Sequence, residues 1–462
     1  MTADTIDLVP AALSLDALIA KYEGRAPRYT SYPTAVQFTP SVDATTYRAW
    51  LAELPAEAPV SVYVHVPFCS RLCWYCGCNT RAVNRHDPIA AYLNLLIAEL
   101  ALLEKALPKR MTAQSVHLGG GTPNMLTPDD LDQLFSALRR VFHTSENLEV
   151  AAELDPASLT REWVQAAKRH GLTRASLGVQ SLDPQVQAAV NRTESFERIA
   201  ECVGWLREAG IASVNLDLMY GLPHQTEANL LATIEQILRL RPERIALFGY
   251  AHVPWMKSHQ QLIDANALPG SAERLDQSER AAEYLVAHGY TRIGLDHFAL
   301  PEDELALAYE QGRMRRNFQG YTADPPVTLL GIGASAIGSL PQGFVQNAAQ
   351  ETTWRAAIAD GNFAVSRGVA LSAEDRFRGE IIERLMCDLK VDLAEICARH
   401  GRSVESLAPE LARLADFEAD GLVRLAPARI VITELGRLLV RSISAVFDQY
   451  FAPEAERHSR AL

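Results

Sequence analysis

No apolar run in this 462-residue chain approaches the ~20 residues that a membrane span requires. The opening Met1-Thr2-Ala3-Asp4 leads into neither a basic region nor a signal-type apolar core. The chain is therefore expected to be cytoplasmic and to have no membrane partner. Positive charge is in deficit, with 44 Lys and Arg against 56 Asp and Glu. A net charge of −12 argues against a nucleic-acid partner, and an anionic small molecule would need a local basic pocket. Cysteine is scarce as well. Cys202, Cys387 and Cys397 stand alone, so the second C-x2-C pair of a zinc ribbon is missing. The triple glycine Gly119-Gly120-Gly121 is not followed by the G-K-[ST] of a phosphate loop, which sets nucleoside triphosphates aside.

What is present is a concentration. Four of the seven cysteines fall in the stretch Cys69-Ser70-Arg71-Leu72-Cys73-Trp74-Tyr75-Cys76-Gly77-Cys78, and the first three read C-x3-C-x2-C. Residues 61–67 read as a mostly apolar strand stopped by Pro67, so the cysteines sit on the loop that leaves its C-terminal end. A loop can turn three thiolates toward one point, whereas helical or strand periodicity at this spacing cannot. Clustered cysteines in a reducing compartment favour metal over disulfide. Three thiolates leave one iron of a four-iron cluster without a protein ligand. A structural zinc site and a set of buried free thiols are the alternatives at this level.

The chain is long enough for a barrel with appendages, and its 48% apolar composition supports a large core. Residues 1–55 read as an ordered arm around Pro27-Arg28-Tyr29-Thr30-Ser31-Tyr32-Pro33-Thr34, 56–365 as the main domain and 366–462 as a C-terminal domain. Strands are expected at 61–66, 115–118, 148–154, 174–179, 212–219 and 244–250. Helices lie between them, among them 88–106 with Tyr92, Leu96, Leu100 and Leu103 on one face. Thr127 as N-cap and Pro128 at the first helical position start another, and Gly171 and Gly210 end two more. This βα rhythm predicts a parallel sheet in a partial (β/α)6 barrel. A further strand is expected at 290–298, then the segment Arg313 to Gly338 and a helix near 351–360. After that come helices, a hairpin of Leu422–Leu425 with Arg429–Ile432, and a helix capped by Thr433. That last region reads as a small, mainly helical, winged-helix-like domain without the basic stripe of a DNA reader.

In such a barrel functional residues gather at the C-terminal ends of the strands. The cysteines follow strand one and the glycines strand two. Glu153, Gln180 and Asp217 stand at or near the ends of strands three, four and five.

The C-x3-C-x2-C loop after a first strand resembles the signature of the radical S-adenosylmethionine enzymes. A longer set of segments resembles one family among them, the oxygen-independent coproporphyrinogen III oxidases. These are the arm through Ala35, Cys69–Cys78 with its fourth cysteine, Gly119–Pro123, Glu153-Leu154-Asp155-Pro156 and Gly178-Val179-Gln180-Ser181. Further on come Asp217–Pro223, Arg316-Asn317-Phe318-Gln319-Gly320-Tyr321-Thr322 and Gly331–Gly338. The resemblance implies a 4Fe–4S cluster on Cys69, Cys73 and Cys76, and two S-adenosylmethionine molecules per chain. The cluster-bound one would meet Tyr63, Gly120, Glu153 and Ile337. The second would meet backbone near Tyr75, Gly121 and Thr122, with Gln180, Arg192, Asp217 and Ala251. It implies a 5′-deoxyadenosyl radical mechanism that converts two propionates of coproporphyrinogen III to vinyl groups, giving protoporphyrinogen IX for haem synthesis. An electron donor and an electron acceptor would be needed, and a monomer is expected. The rivals are a haem chaperone, which has an aromatic residue in place of Cys78, and a haem-degrading radical methyltransferase. For the propionates, the basic segment with Arg313, Arg315, Arg316, Phe318 and Gln319 is the candidate contact, against the plain alternative of a solvated basic turn.

Overall fold

Alternation decides the first strand. Val60–Val66 reads V-S-V-Y-V-H-V, so its valines fall on one face and Ser61, Tyr63 and His65 on the other. The four valines are 0–1% exposed and join the main core, each contributing roughly 2 kcal/mol by burial. The structure, a computed structural model, describes residues 15–22, 26–325 and 328–451. The opening Met1–Asp4 and the last residues of the expected C-terminal domain, 452–462, lie outside these.

We label the six strands of the βα rhythm β1 (Val60–Val66), β2 (Met111–Gly120), β3 (Phe142–Leu154), β4 (Leu172–Gln180), β5 (Ser213–Tyr220) and β6 (Arg244–Gly249). They pair in sequence order and parallel throughout. Thr328–Ile332 adds a parallel strand beside β1. Antiparallel strands extend the sheet at both ends, to twelve strands among the described residues, whose two edges are not paired to one another. This is the expected partial barrel. Helix Asp87–Ala106 buries Tyr92, Leu96, Leu100 and Leu103 as the spacing predicts. Helix Pro128–Val141 begins on a Thr127–Asp130 capping box. Gly171 and Gly210 take positive φ just past their helices.

Two expectations change. The single strand at 290–298 is a hairpin, Thr291–Ile293 against His297–Ala299. Gly294 at φ 53° makes the turn, and a Cβ there would lie 2.3 Å from the Tyr321 ring. The segment after Arg313 forms a second, separate hairpin, Arg315–Asn317 with Gly320–Thr322.

The chain divides into two compact units, Pro33–Ser372 and the remainder. The expected arm is therefore shared, with described residues 15–22 and 26–32 in the smaller unit and 33–55 in the larger. In the smaller unit, helix Ala373–Asp388, strand Lys390–Asp392, helices Leu393–Arg399 and Ala408–Ala419, and the hairpin Val423–Ala426/Arg429–Ile432 follow in order. The three strands form one antiparallel sheet. Tyr29, buried in this unit, bonds Asp448 at 3.0 Å, and Thr433 caps the helix that follows it.

Candidate active site

Pro67 ends β1, and the chain turns into a short parallel pairing of Phe68–Cys69 with Arg81–Ala82. That pairing closes residues 70–80 into a lobe carrying Cys73, Cys76 and Cys78, with Cys69 at its entry. Each of the first three sulfurs accepts a hydrogen bond. Thr122 Oγ1 donates to Cys69 Sγ at 3.4 Å, Arg192 Nη1 to Cys73 Sγ at 3.5 Å, and the Cys78 amide to Cys76 Sγ at 3.4 Å. Thr80 Oγ1 lies a further 3.1 Å from Cys69 Sγ. Burial pushes the Cys69 thiol up, opposed by Thr122 and Thr80. Bonding from Cys78 lowers that of Cys76, with Lys257 and His259 adding positive charge nearby.

The lobe's carbonyls are pinned by distant segments. Asn191 Nδ2 donates to Leu72 O at 2.9 Å, Gln260 Nε2 to Tyr75 O at 3.0 Å, His259 Nε2 to Cys76 O at 2.7 Å and Lys257 Nζ to Cys78 O at 3.0 Å. His65 Nε2 meets Asn79 O at 2.9 Å.

The glycines at the end of β2 are required by close approach. Gly120, at φ 110°, would press a Cβ to 2.5 Å from the His65 ring, and Gly121 to 2.6 Å from Thr80 Oγ1. Gly120 N donates to Glu153 Oε2 at 3.0 Å, and His117 Nε2 lies 3.2 Å from Oε1. Enclosure in the lumen works against the Glu153 charge, yet His117 and Gly120 hold its carboxyl below the ordinary value. Tyr63 bonds His65 at 3.1 Å and stacks on His117.

Asp217 behaves oppositely. Burial lifts it to about 6, although Ser176 and Asn215 donate to it at 2.7 Å each. Glu153 raises it further, and His297 opposes. Gln180 ends β4 at φ 66°, a sparsely populated conformation for a residue with a Cβ. Beside it, Arg192 Nη2 donates to Gly178 O at 2.6 Å and to Asp155 at 3.1 Å, while its buried Nε has no partner.

Cys69, Cys73, Cys76, Thr122, Arg192, Gln180, Gly120, Gly121, Glu153, Tyr63 and Asp217 are thus brought to one end of the barrel. Tyr75 lies against the small apolar cluster of Val186, Val190, Leu222, Tyr250 and Ile263. Ala251 is half-buried on the loop after β6. Ile337 begins its strand just beyond Ser335, which reaches His65 at 3.5 Å. Arg313 is exposed, and Arg315 is half-buried. Arg316 stacks over Tyr321 and donates to its hydroxyl at 2.6 Å. Phe318 packs edge-on against Phe38 and Phe344. Gln319 lines a small cavity with Ser61, Ser115, Glu149 and Arg174.

Sequence reasoning missed His65, His117, Thr80 and the trio Lys257, His259 and Gln260. The two histidines had a signal, polar residues in alternation with apolar ones. The trio had none.

The donor set fits an iron–sulfur cluster, because hydroxyl, guanidinium and amide donors point at the three sulfurs, contacts of the kind that tune cluster-bound cysteines. Among the described residues, no three His, Cys, Asp or Glu side chains gather round a single ion. A cluster takes one thiolate per iron and does not need that convergence. The orphaned Arg192 Nε and the glycine-lined gap suit a ligand lying over the strand ends.

A barrel of this kind with this lobe defines a radical S-adenosylmethionine domain, and residues 63–237 match the model of the Radical SAM superfamily. Residues 371–439 match that of the HemN C-terminal domain. The chain is 48% identical to the oxygen-independent coproporphyrinogen III oxidase of Bradyrhizobium diazoefficiens, over 97% of this chain and 99% of that one. It is 43% identical to that of Paracoccus denitrificans, over 96% and 97%. The solved coproporphyrinogen III oxidase of Escherichia coli, described as a radical SAM enzyme, superposes with a TM-score of 0.89 at 34% identity, covering 96% of this chain and all of that one. The chain belongs to the family of oxygen-independent coproporphyrinogen III oxidases.

Proposed function

We propose that this chain converts two propionate side chains of coproporphyrinogen III to vinyl groups without oxygen, giving protoporphyrinogen IX. The observation that carries the reading is the gathering of three hydrogen-bonded cysteine sulfurs beside Glu153, Asp217 and Arg192 at one end of the barrel. Cys69, Cys73 and Cys76 would hold the 4Fe–4S cluster. When bound, the cluster and S-adenosylmethionine supply the one-electron chemistry that removes a hydrogen atom from the propionate β-carbon, after which carbon dioxide leaves.

The protein's own groups hold charge and exclude water. Thr122, Arg192 and the Cys78 amide stabilise the thiolates. Gly120 and His117 keep Glu153 ionised and fixed, as a ligand bearing an amine or ribose hydroxyls requires. Asp217 stands on a different strand, and it is harder to ionise. Two such unlike carboxylates support the reading of two S-adenosylmethionine molecules in one lumen. Arg192, through its free Nε, suits the carboxylate of the second. The electron donor and acceptor belong to partners, and the chain acts as a cytoplasmic monomer in this reading.

Anaerobic turnover of coproporphyrinogen III by cluster-loaded protein, with mass analysis of the product, tests the proposal. A product lacking two carboxyl groups and carrying two vinyl groups is expected only when reductant and S-adenosylmethionine are present. Intact substrate recovered from fully loaded protein would place the chain with the haem chaperones instead.

A further inference from the structure

Strand pairing puts one histidine in the lumen that the chemistry above leaves unused. Gly178, Asp217, Ala246 and His297 are register partners across four neighbouring strands. Residues paired in one row share a face of the sheet, so His297 points to the same side as Asp217. Its Nδ1 lies 2.7 Å from Asp296 Oδ1. Phe248 and Tyr321 meet its ring edge-on, at 5.7 and 5.2 Å between centroids. The imidazole is therefore held in orientation from three sides, yet its side chain keeps 15% exposure. Its Nε2 has no hydrogen-bond partner among the described residues. Tyr321 also carries Arg316 over its ring, with Nη1 2.6 Å from its hydroxyl.

The lumen thus carries charge of both signs. Glu153 and Asp217, on β3 and β5, suit the cationic sulfonium and amine of S-adenosylmethionine. His297 lies two strands beyond Asp217 in the same row, with Arg316 over the Tyr321 ring that meets it. An imidazole whose Nδ1–H is held by a carboxylate presents Nε2 outward. A second carboxylate arriving there completes an imidazolium with an acid on each nitrogen.

We propose that His297, oriented by Asp296, binds a propionate carboxylate of the substrate inside the lumen, two strands beyond Asp217. This rests on the substrate assignment above and adds the residue that holds it. A fixed propionate places its β-carbon for hydrogen removal, so the contact positions as well as binds.

The test compares cluster-loaded wild type with His297→Phe, His297→Gln and Asp296→Asn. KM for coproporphyrinogen, equilibrium binding of S-adenosylmethionine and iron content are measured together. His297→Phe is expected to raise KM by about tenfold or more, the scale of one charge-assisted hydrogen bond. Iron content and S-adenosylmethionine binding stay at the wild-type level, and His297→Gln recovers part of the loss through its amide donor. Asp296→Asn shifts KM in the same direction. Equilibrium binding of the tetramethyl ester, which cannot be decarboxylated, supplies a readout that a merely structural role would not move. Wild type binds the free acid more tightly than the ester, and in His297→Phe that preference shrinks. An unchanged KM and an unchanged preference overturn the proposal. So does weakened S-adenosylmethionine binding at constant KM, which would assign the carboxylate to the methionine end. Absence of vinyl product from wild type would instead defeat the substrate assignment itself.

Discussion

Gln260 holds Tyr75 in place from 185 positions away, donating from Nε2 to the Tyr75 carbonyl at 3.0 Å while its Oε1 accepts from Val253 N at 2.6 Å. The side chain is 1% exposed, so neither partner has water as a substitute. Gln260→Ala leaves a buried carbonyl and a buried amide unpaired, a cost of roughly 1–3 kcal/mol for each. The lobe should open more often. Bleaching of cluster absorbance under an iron chelator is expected to run several-fold faster than in wild type. An equal bleaching rate would show that the lobe holds its shape without this residue.

Cys69→Ser, Cys73→Ser and Cys76→Ser should each abolish the cluster and all turnover, because no spare thiolate reaches the position lost. Cys78→Ser behaves differently. Serine preserves the backbone amide that donates to Cys76 Sγ and supplies a hydroxyl donor beside it. Iron and sulfide analysis should find that variant loaded like wild type, and a colourless Cys78→Ser protein would make Cys78 a ligand.

Asp217→Ala tests how many cofactor molecules the lumen takes. Equilibrium dialysis of S-adenosylmethionine on cluster-loaded wild type should saturate above one per chain. The variant should lose one class of site and keep the other, since Glu153 and Gly120 remain bonded to each other. A single class in wild type contradicts the paired arrangement.

Glu99 sets a pH dependence of stability. Its carboxylate is buried on helix Asp87–Ala106 and receives Gly333 N at 2.8 Å, Asn347 Nδ2 at 2.7 Å and Trp354 Nε1 at 3.2 Å. Burial outweighs these donors and raises it from 4.5 to about 7. The folded state therefore binds this proton more tightly than the unfolded chain. The resulting stabilisation is complete below pH 4.5 and is lost as pH rises to about 7. The difference is on the order of 3 kcal/mol. Glu99→Gln removes the titration. Its unfolding midpoint, followed by calorimetry across this window, should vary less with pH than that of wild type. Parallel curves would assign the dependence to other groups.

Local signals carried the architecture. Thr127-Pro128 with Asp130 three residues into the helix, and glycines after the helices of β3 and β4, are chemistry that acts within one turn of chain. Strand ends were equally legible, and with them Glu153, Gln180 and Asp217, because a parallel barrel puts function at one predictable edge. Pairings over long separations were not. His259 meets Cys76 across 183 positions, and neither residue's neighbours announce it. The strand expected at 290–298 failed for a related reason. Thr291-Arg292-Ile293 and His297-Phe298-Ala299 both read as strand, and only Tyr321, pressed against Gly294, reveals the reversal between them. Arg316 looked like a cation awaiting an acid, but its stacking on Tyr321 emerges only when the second hairpin closes.

The alternation in β1 has a consequence for how this gene can change. Any one of Ser61, Tyr63 or His65 is replaceable without disturbing a valine, since the two faces are independent alphabets written on one thread. Loss or gain of a single codon within the strand is another matter. It would turn the valines on one side of the change into the lumen and drive the polar residues that alternate with them into the leucine-rich layer beneath the helices. Descent in this stretch should therefore run through substitutions, with length held constant by the geometry of the backbone.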